Sequence, residues 1–221
     1  LIMLSNVQLI SYLFTVHQVF YKDHSRGIYN NFTYWLVSSL PLYLLRSISA
    51  VCGATVVYNM LDLTAPSTST YVDTQGYYIL MSIFTTMAST MMVEFIIYIA
   101  PSIRAAYLMV PAVSFVQFMF CGLFLKPSLL PEWMQPWAPS ISLFRWTLQG
   151  SFLNQFNGNY DLFPDVGKTS TFDFFCSLYG WGGKTKWYCF QMVIIIIFIV
   201  RLLTLLGTSF VSRIRRGGHR M

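Results

Sequence analysis

The chain has 221 residues, 55% of them hydrophobic and only 10% charged, with a formal net charge of +6 and a mean hydropathy of +0.55. A soluble domain carries about 25% charged residues, so this composition excludes a charge-coated globule and points to a polypeptide built for lipid. The basic excess flanks apolar stretches rather than covering a polar face, which suits the positive-inside rule and anionic lipid and argues against a nucleic-acid partner.

A membrane span needs about 20 apolar residues. The first is predicted over residues 1–20. The chain opens at Leu1 already inside apolar sequence, with no basic start and no small-residue cleavage site, so it is expected to begin within a span of a longer protein. A polar turn over 21–33 follows and gathers Lys22, Asp23, His24 and Arg26 into five positions. The second span is predicted over 34–61, with Pro41 and Arg46 inside it. A polar loop with Asp62, Pro66, Asp73 and Gly76 leads to a third span over 77–100, which carries Glu94. Pro101 and Arg104 mark a tight connection to a fourth span over 105–125. Residues 126–187 are long and mixed, and the last span, over 188–211, contains Arg201. The expected fold is an all-α polytopic bundle, one transmembrane domain over 1–221 with five spans.

Orientation follows from the short connections. Lys22, Arg26, Arg104 and the terminal Arg213, Arg215, Arg216 and Arg220 fall on one side, which is expected to be cytoplasmic. The loop with Asp62 and Asp73 holds no Lys or Arg and falls outside, as does the 126–187 segment. Asn31 to Thr33 match the glycosylation pattern, but on the cytoplasmic side no glycan is expected there.

Catalytic chemistry is not visible. Gly167-Lys168-Thr169 and Gly183-Lys184-Thr185 imitate the end of a phosphate-binding loop, but Leu162 and Leu178 stand where the first glycine is required. His17, His24 and His219 are isolated from one another, without metal-ligand spacing, and no serine sits in a G-x-S-x-G turn. Neither a metal nor a cofactor is expected on this chain. Cys52 and Cys121 lie within spans as small packing residues. Cys176 and Cys189 lie outside, where either a bridge between them or an intermolecular pairing is possible.

Two stretches carry a resemblance. "VFYKDHSRGIYNNFTYWL", with Gly27, Tyr29, Tyr34, Trp35 and Leu36, resembles the segment between the second and third spans of G-subfamily ABC exporters, the white and pleiotropic-drug-resistance type. Asp23 stands where that family has Glu. "CGLFLKPSLLPEWMQPWAPSISLFRWTLQGSFLNQFNG" resembles the exit of the family's fifth span, its Pro/Trp-rich re-entrant segment and its Asn-Glu-Phe-x-Gly motif. Phe144 replaces a Pro there, and Gln155 a Glu. The resemblance runs from the second span to the C-terminus, making five spans of six, without the family's ATPase domain and first span.

The resemblance implies that Asp23, Arg26, Gly27 and Tyr29 form a coupling loop that faces a nucleotide-binding domain. It implies that Phe115 and Phe118, on one face of the fourth span with Gly122, line a substrate cavity between two copies of that helix. Leu123 and Phe124 would be its extracellular plug. Arg46, Glu94 and Arg201 are costly at membrane depth, by about 2.5–3.5 kcal/mol each at a helix centre. Glu94 and Arg46 lie near the same ends of their spans and are expected to meet, with Arg201 either joining them or snorkelling. The implied activity is ATP-driven export of a lipophilic sterol, lipid or xenobiotic by alternating access. ATP and Mg would sit on an associated nucleotide-binding domain, and the partners would be a second half-transporter, identical or not, and membrane lipid. The rival readings are a stand-alone permease subunit with a separate ATPase chain, and a non-transporting membrane scaffold or receptor. The membrane would be the plasma membrane or an internal one.

Overall fold

The computed structural model describes residues 2–25, 31–61, 71–156, 176, 178–181 and 184–218, with side chains over the inner parts of these ranges. Among the described residues every regular element is a helix. They are α1 (Ile2–Ser25), α2 (Asn31–Met60), α3 (Tyr71–Ile99), α4 (Ile103–Met119), a 3₁₀ turn (Pro127–Leu129), α5 (Ala138–Ile141), α6 (Leu143–Phe156) and α7 (Lys186–Gly218). In lipid every backbone N–H and C=O must be satisfied within its own segment, so a chain this apolar has little choice but helices. Ser39–Met60, Asp73–Ile99 and Lys186–Gly207 are each long and apolar enough to cross a membrane, and Ile103–Met119 is a shorter apolar helix.

The helix ends depart from the expected spans in informative ways. α1 continues through Lys22, Asp23 and His24 to Ser25, so part of the charged turn is a helical extension. α4 stops at Met119, six residues before the expected Leu125. Its last turn tightens, with Phe120 N donating to Val116 O and Cys121 N to Phe118 O. Gly122 then takes φ 94°, a left-handed conformation that side chains resist. Gly122 is therefore not on the face of Phe115 and Phe118; it is the stop signal beyond them.

The chain divides into two compact units, Leu1–Ser47 with Thr86–Phe115 and Ile196–Met221, and Ile48–Thr85 with Val116–Ile195. In the first, Ile10 and Leu13 of α1, Leu42 of α2, Val93 and Ile97 of α3 and Val110 of α4 form one apolar cluster. Tyr43, Met91 and Val200 form another. Lipid tails are as apolar as these side chains, so close packing and polar contacts have to hold the helices together.

In the second unit α6 docks through hydrogen bonds and one tight glycine. Asn154 Nδ2 donates to Thr74 O at 2.8 Å, Gln149 Nε2 to Trp181 O at 2.9 Å, and Thr85 and Thr147 hydroxyls pair at 2.8 Å. Gly150 lies so close to α3 and α7 that a Cβ there would stand 2.8 Å from Tyr77 Oη and 3.2 Å from Cys189 Cβ. α3 is the most enclosed of these three spans, with 56% of its apolar stretch buried against 22% for α2 and 28% for α7. It accommodates Ser82, Thr85, Ser89 and Thr90 because each hydroxyl donates to a carbonyl of its own helix, three or four residues back.

Candidate functional site

Three spans of the first unit converge on one carboxylate. Glu94, 6% exposed on α3, accepts on Oε2 from Arg201 Nη1 of α7 at 2.8 Å and from the Tyr43 hydroxyl of α2 at 2.6 Å. The same Tyr43 oxygen accepts from Arg201 Nη1 at 2.6 Å, and the guanidinium lies 5.0 Å from the Tyr43 ring centre. Arg201 Nη2 donates to Ser39 Oγ at 2.7 Å. An arginine suits this task because its planar fork serves several acceptors at once and keeps its charge when desolvated. Each charge thus gains a partner and further hydrogen bonds, which a pair removed from water requires.

The expected meeting of Glu94 with Arg46 gives way to this one. Ser39, Tyr43 and Arg46 recur at i, i+4 and i+7 on α2, one face of the helix. The first two reach Arg201, while Arg46, a turn further along, donates from Nη2 to Asn6 Oδ1 of α1 at 3.3 Å. Arg201 joins the network rather than snorkelling. Sequence reasoning missed Ser39, Tyr43 and Asn6, because a serine, a tyrosine or an asparagine carries no charge to announce itself.

On α4, Ala106 and Val110 are buried while Leu108, Val113 and Phe115 are exposed. In the second unit Phe118 packs against Phe124, ring centres 4.9 Å apart, and meets Phe144 edge-on at 6.2 Å. Leu123 and Phe124 themselves are exposed. Phe144, which departs from the family pattern, therefore packs into the cluster at the exit of α4. Its neighbour Arg145 lies 5.5 Å from the Trp146 ring centre, and burial pushes its guanidinium below the ordinary value.

Of the expected coupling loop, Arg26, Gly27 and Tyr29 lie outside the described residues, and Asp23 falls in the last turn of α1. The bridge considered between Cys176 and Cys189 is not formed: both are buried thiols, and Cys189 packs its Cβ against Gly150. Among the described residues no group of His, Cys, Asp or Glu could hold a metal ion.

With this arrangement in view, comparison with known proteins is informative. Residues 1–156 match the family described as ABC-2 type transporter. The chain is similar to ABC transporter G family member 1 of Dictyostelium discoideum, 23% identical over 140 residues, 62% of this chain and 17% of that protein. It is also similar to two Medicago truncatula proteins, ABC transporter G family members STR2 and STR. The first is 24% identical over 162 residues, 73% of this chain and 21% of that protein. The second is 27% identical over 142 residues, 64% of this chain and 16% of that protein. The chain thus spans about a fifth of the length of these relatives.

Proposed function

The chain belongs to the ABC-2 type transporter family of integral, multi-pass membrane proteins, and from that premise we propose that it is the membrane part of an ATP-driven exporter of lipophilic molecules. ATP and Mg²⁺ are bound and turned over on a nucleotide-binding domain, carried on the same native polypeptide or on a partner. Two such membrane parts face one another across α4. Closure of the nucleotide-binding domains presses on the Asp23–Tyr29 turn, and the helices move as rigid bodies to open the site outward.

The observation that carries this reading is the surface of α4. Its exposed residues Leu108, Val113 and Phe115 are apolar, as a cavity for a sterol, lipid or amphipathic xenobiotic requires. Phe118, Phe124 and Phe144 supply a cluster at the end of that helix which a substrate has to pass. The ion pair supports the same reading in another way. It ties α2, α3 and α7 together at depth, so that force applied to one of them reaches the others.

The test is transport by the native polypeptide with its ATPase, reconstituted in liposomes and assayed with a fluorescent sterol and an amphipathic dye. Movement of at least one probe should require Mg-ATP. Phe115→Ala should lower the rate about 2- to 10-fold, the range for losing one aromatic contact. Equal movement with and without ATP would sink the proposal, and an unchanged rate in Phe115→Ala would remove that residue from the path.

A further inference from the structure

Beside Glu94 the first unit holds a small, partly open pocket of about 20 Å³, lined by Tyr12, Leu13 and His17 of α1 and by Glu94, Ile97 and Tyr98 of α3. A water needs roughly 10–15 Å³ and typically two to four polar neighbours; the volume suffices, and Tyr12, His17, Glu94 and Tyr98 are the polar residues of the lining. Glu94 accepts its two hydrogen bonds on Oε2, which leaves Oε1 as the carboxylate oxygen that can serve the cavity. His17 is 9% exposed, and its ring stands edge-on to Tyr98 with centres 4.3 Å apart, which fixes its plane. A histidine and a carboxylate thus line the same space inside a helical bundle, where polar groups are expensive to bury.

We propose that this cavity is a water site, in which one ordered water hydrogen-bonds to the His17 imidazole and to Oε1 of Glu94, making His17 the proton-accepting partner of the intramembrane ion pair. A hydronium reaching the cavity gives its proton to the ring nitrogen: an O–H bond breaks, an N–H bond forms, and the water remains. The new charge faces Oε1 through that water while Arg201 holds Oε2. The carboxylate is then shared between two cations, and its bond to Arg201 weakens. Among the described residues, the other titratable groups facing Glu94 or the cavity are Tyr12 of α1, Tyr43 of α2, Tyr98 of α3 and Arg201 of α7. Protonation of Glu94 itself is the competing account, and His17→Gln separates the two, because a carboxylate titrating by itself would follow pH without the imidazole. The mechanism does not depend on the transport reading, and its test reads water and carboxylate directly.

The experiment is pH-difference infrared spectroscopy of the full chain in lipid nanodiscs, in ordinary and in ¹⁸O-labelled water, with the carboxylate band assigned by Glu94→Gln. The Glu94 band should move across the pH range in which imidazoles titrate, accompanied by a water O–H band that shifts in the labelled solvent. His17→Phe should abolish both signals. His17→Gln, which can hold a water but cannot titrate, should keep the water band and lose the pH dependence. The proposal is overturned if the Glu94 band follows pH equally in His17→Gln, or if the wild-type protein shows no isotope-sensitive water band. Should His17→Phe fail to fold, the His17→Gln comparison alone decides.

Discussion

Glu94 and Arg201 show how a single residue is made tolerable at membrane depth. Each is expensive alone, and together they are held by Tyr43 and Ser39. Removing one partner strands the other, which typically costs about 3–5 kcal/mol, whereas replacing both by apolar side chains of similar volume is often neutral. Arg201→Leu and Glu94→Leu should therefore each lower the thermal midpoint in detergent strongly, and the double substitution should recover most of the loss. Loss that simply adds would show that the two residues act independently. The charges themselves were legible in the sequence, because Arg46, Glu94 and Arg201 are rare interruptions of apolar spans. Their pairing was not, since position along a span says nothing about which face a residue occupies. Tyr43 settles the matter by sitting four residues after Ser39 and drawing Arg201 to that face.

At the scale of elements, α2, α3 and α7 were readable because long apolar runs admit few alternatives to a helix. Their ends were harder to read. The apolar sequence runs on past Met119, and only the backbone of Gly122 reveals that α4 has stopped. The docking of α6 was equally hidden, because Gly150 looks like any glycine until its neighbours are known. Tyr77 Oη is itself bonded to Lys186 O at 2.6 Å, so it cannot retreat from an added Cβ without giving up that bond. Gly150→Ala should accordingly destabilise the fold by about 1–3 kcal/mol through overpacking, read as a lower thermal midpoint. Gly53→Ala is the control: nothing lies within 4 Å of a Cβ there, and alanine is the better helix former. Equal effects of the two substitutions would mean that α6 is not seated as described.

For the molecule as a whole, the all-helical, multi-pass character was legible from long apolar runs with few charges. Distances along the chain carry a separate lesson. A ribosome makes Glu94 long before it makes Arg201, which lies 107 residues downstream. At the usual rate of about 5–20 residues per second, the carboxylate waits roughly 5–20 s for its arginine. Tyr43, made earlier, is already there to donate to it. Of the two donors that Glu94 has in the finished fold, the tyrosine is thus the one that exists during the interval when α3 has been made and α7 has not. Tyr43→Phe should then reduce the yield of inserted protein, measured in membranes during synthesis, more than it reduces the stability of the molecules that finish. The order in which a membrane protein is written becomes one of the forces its side chains must satisfy.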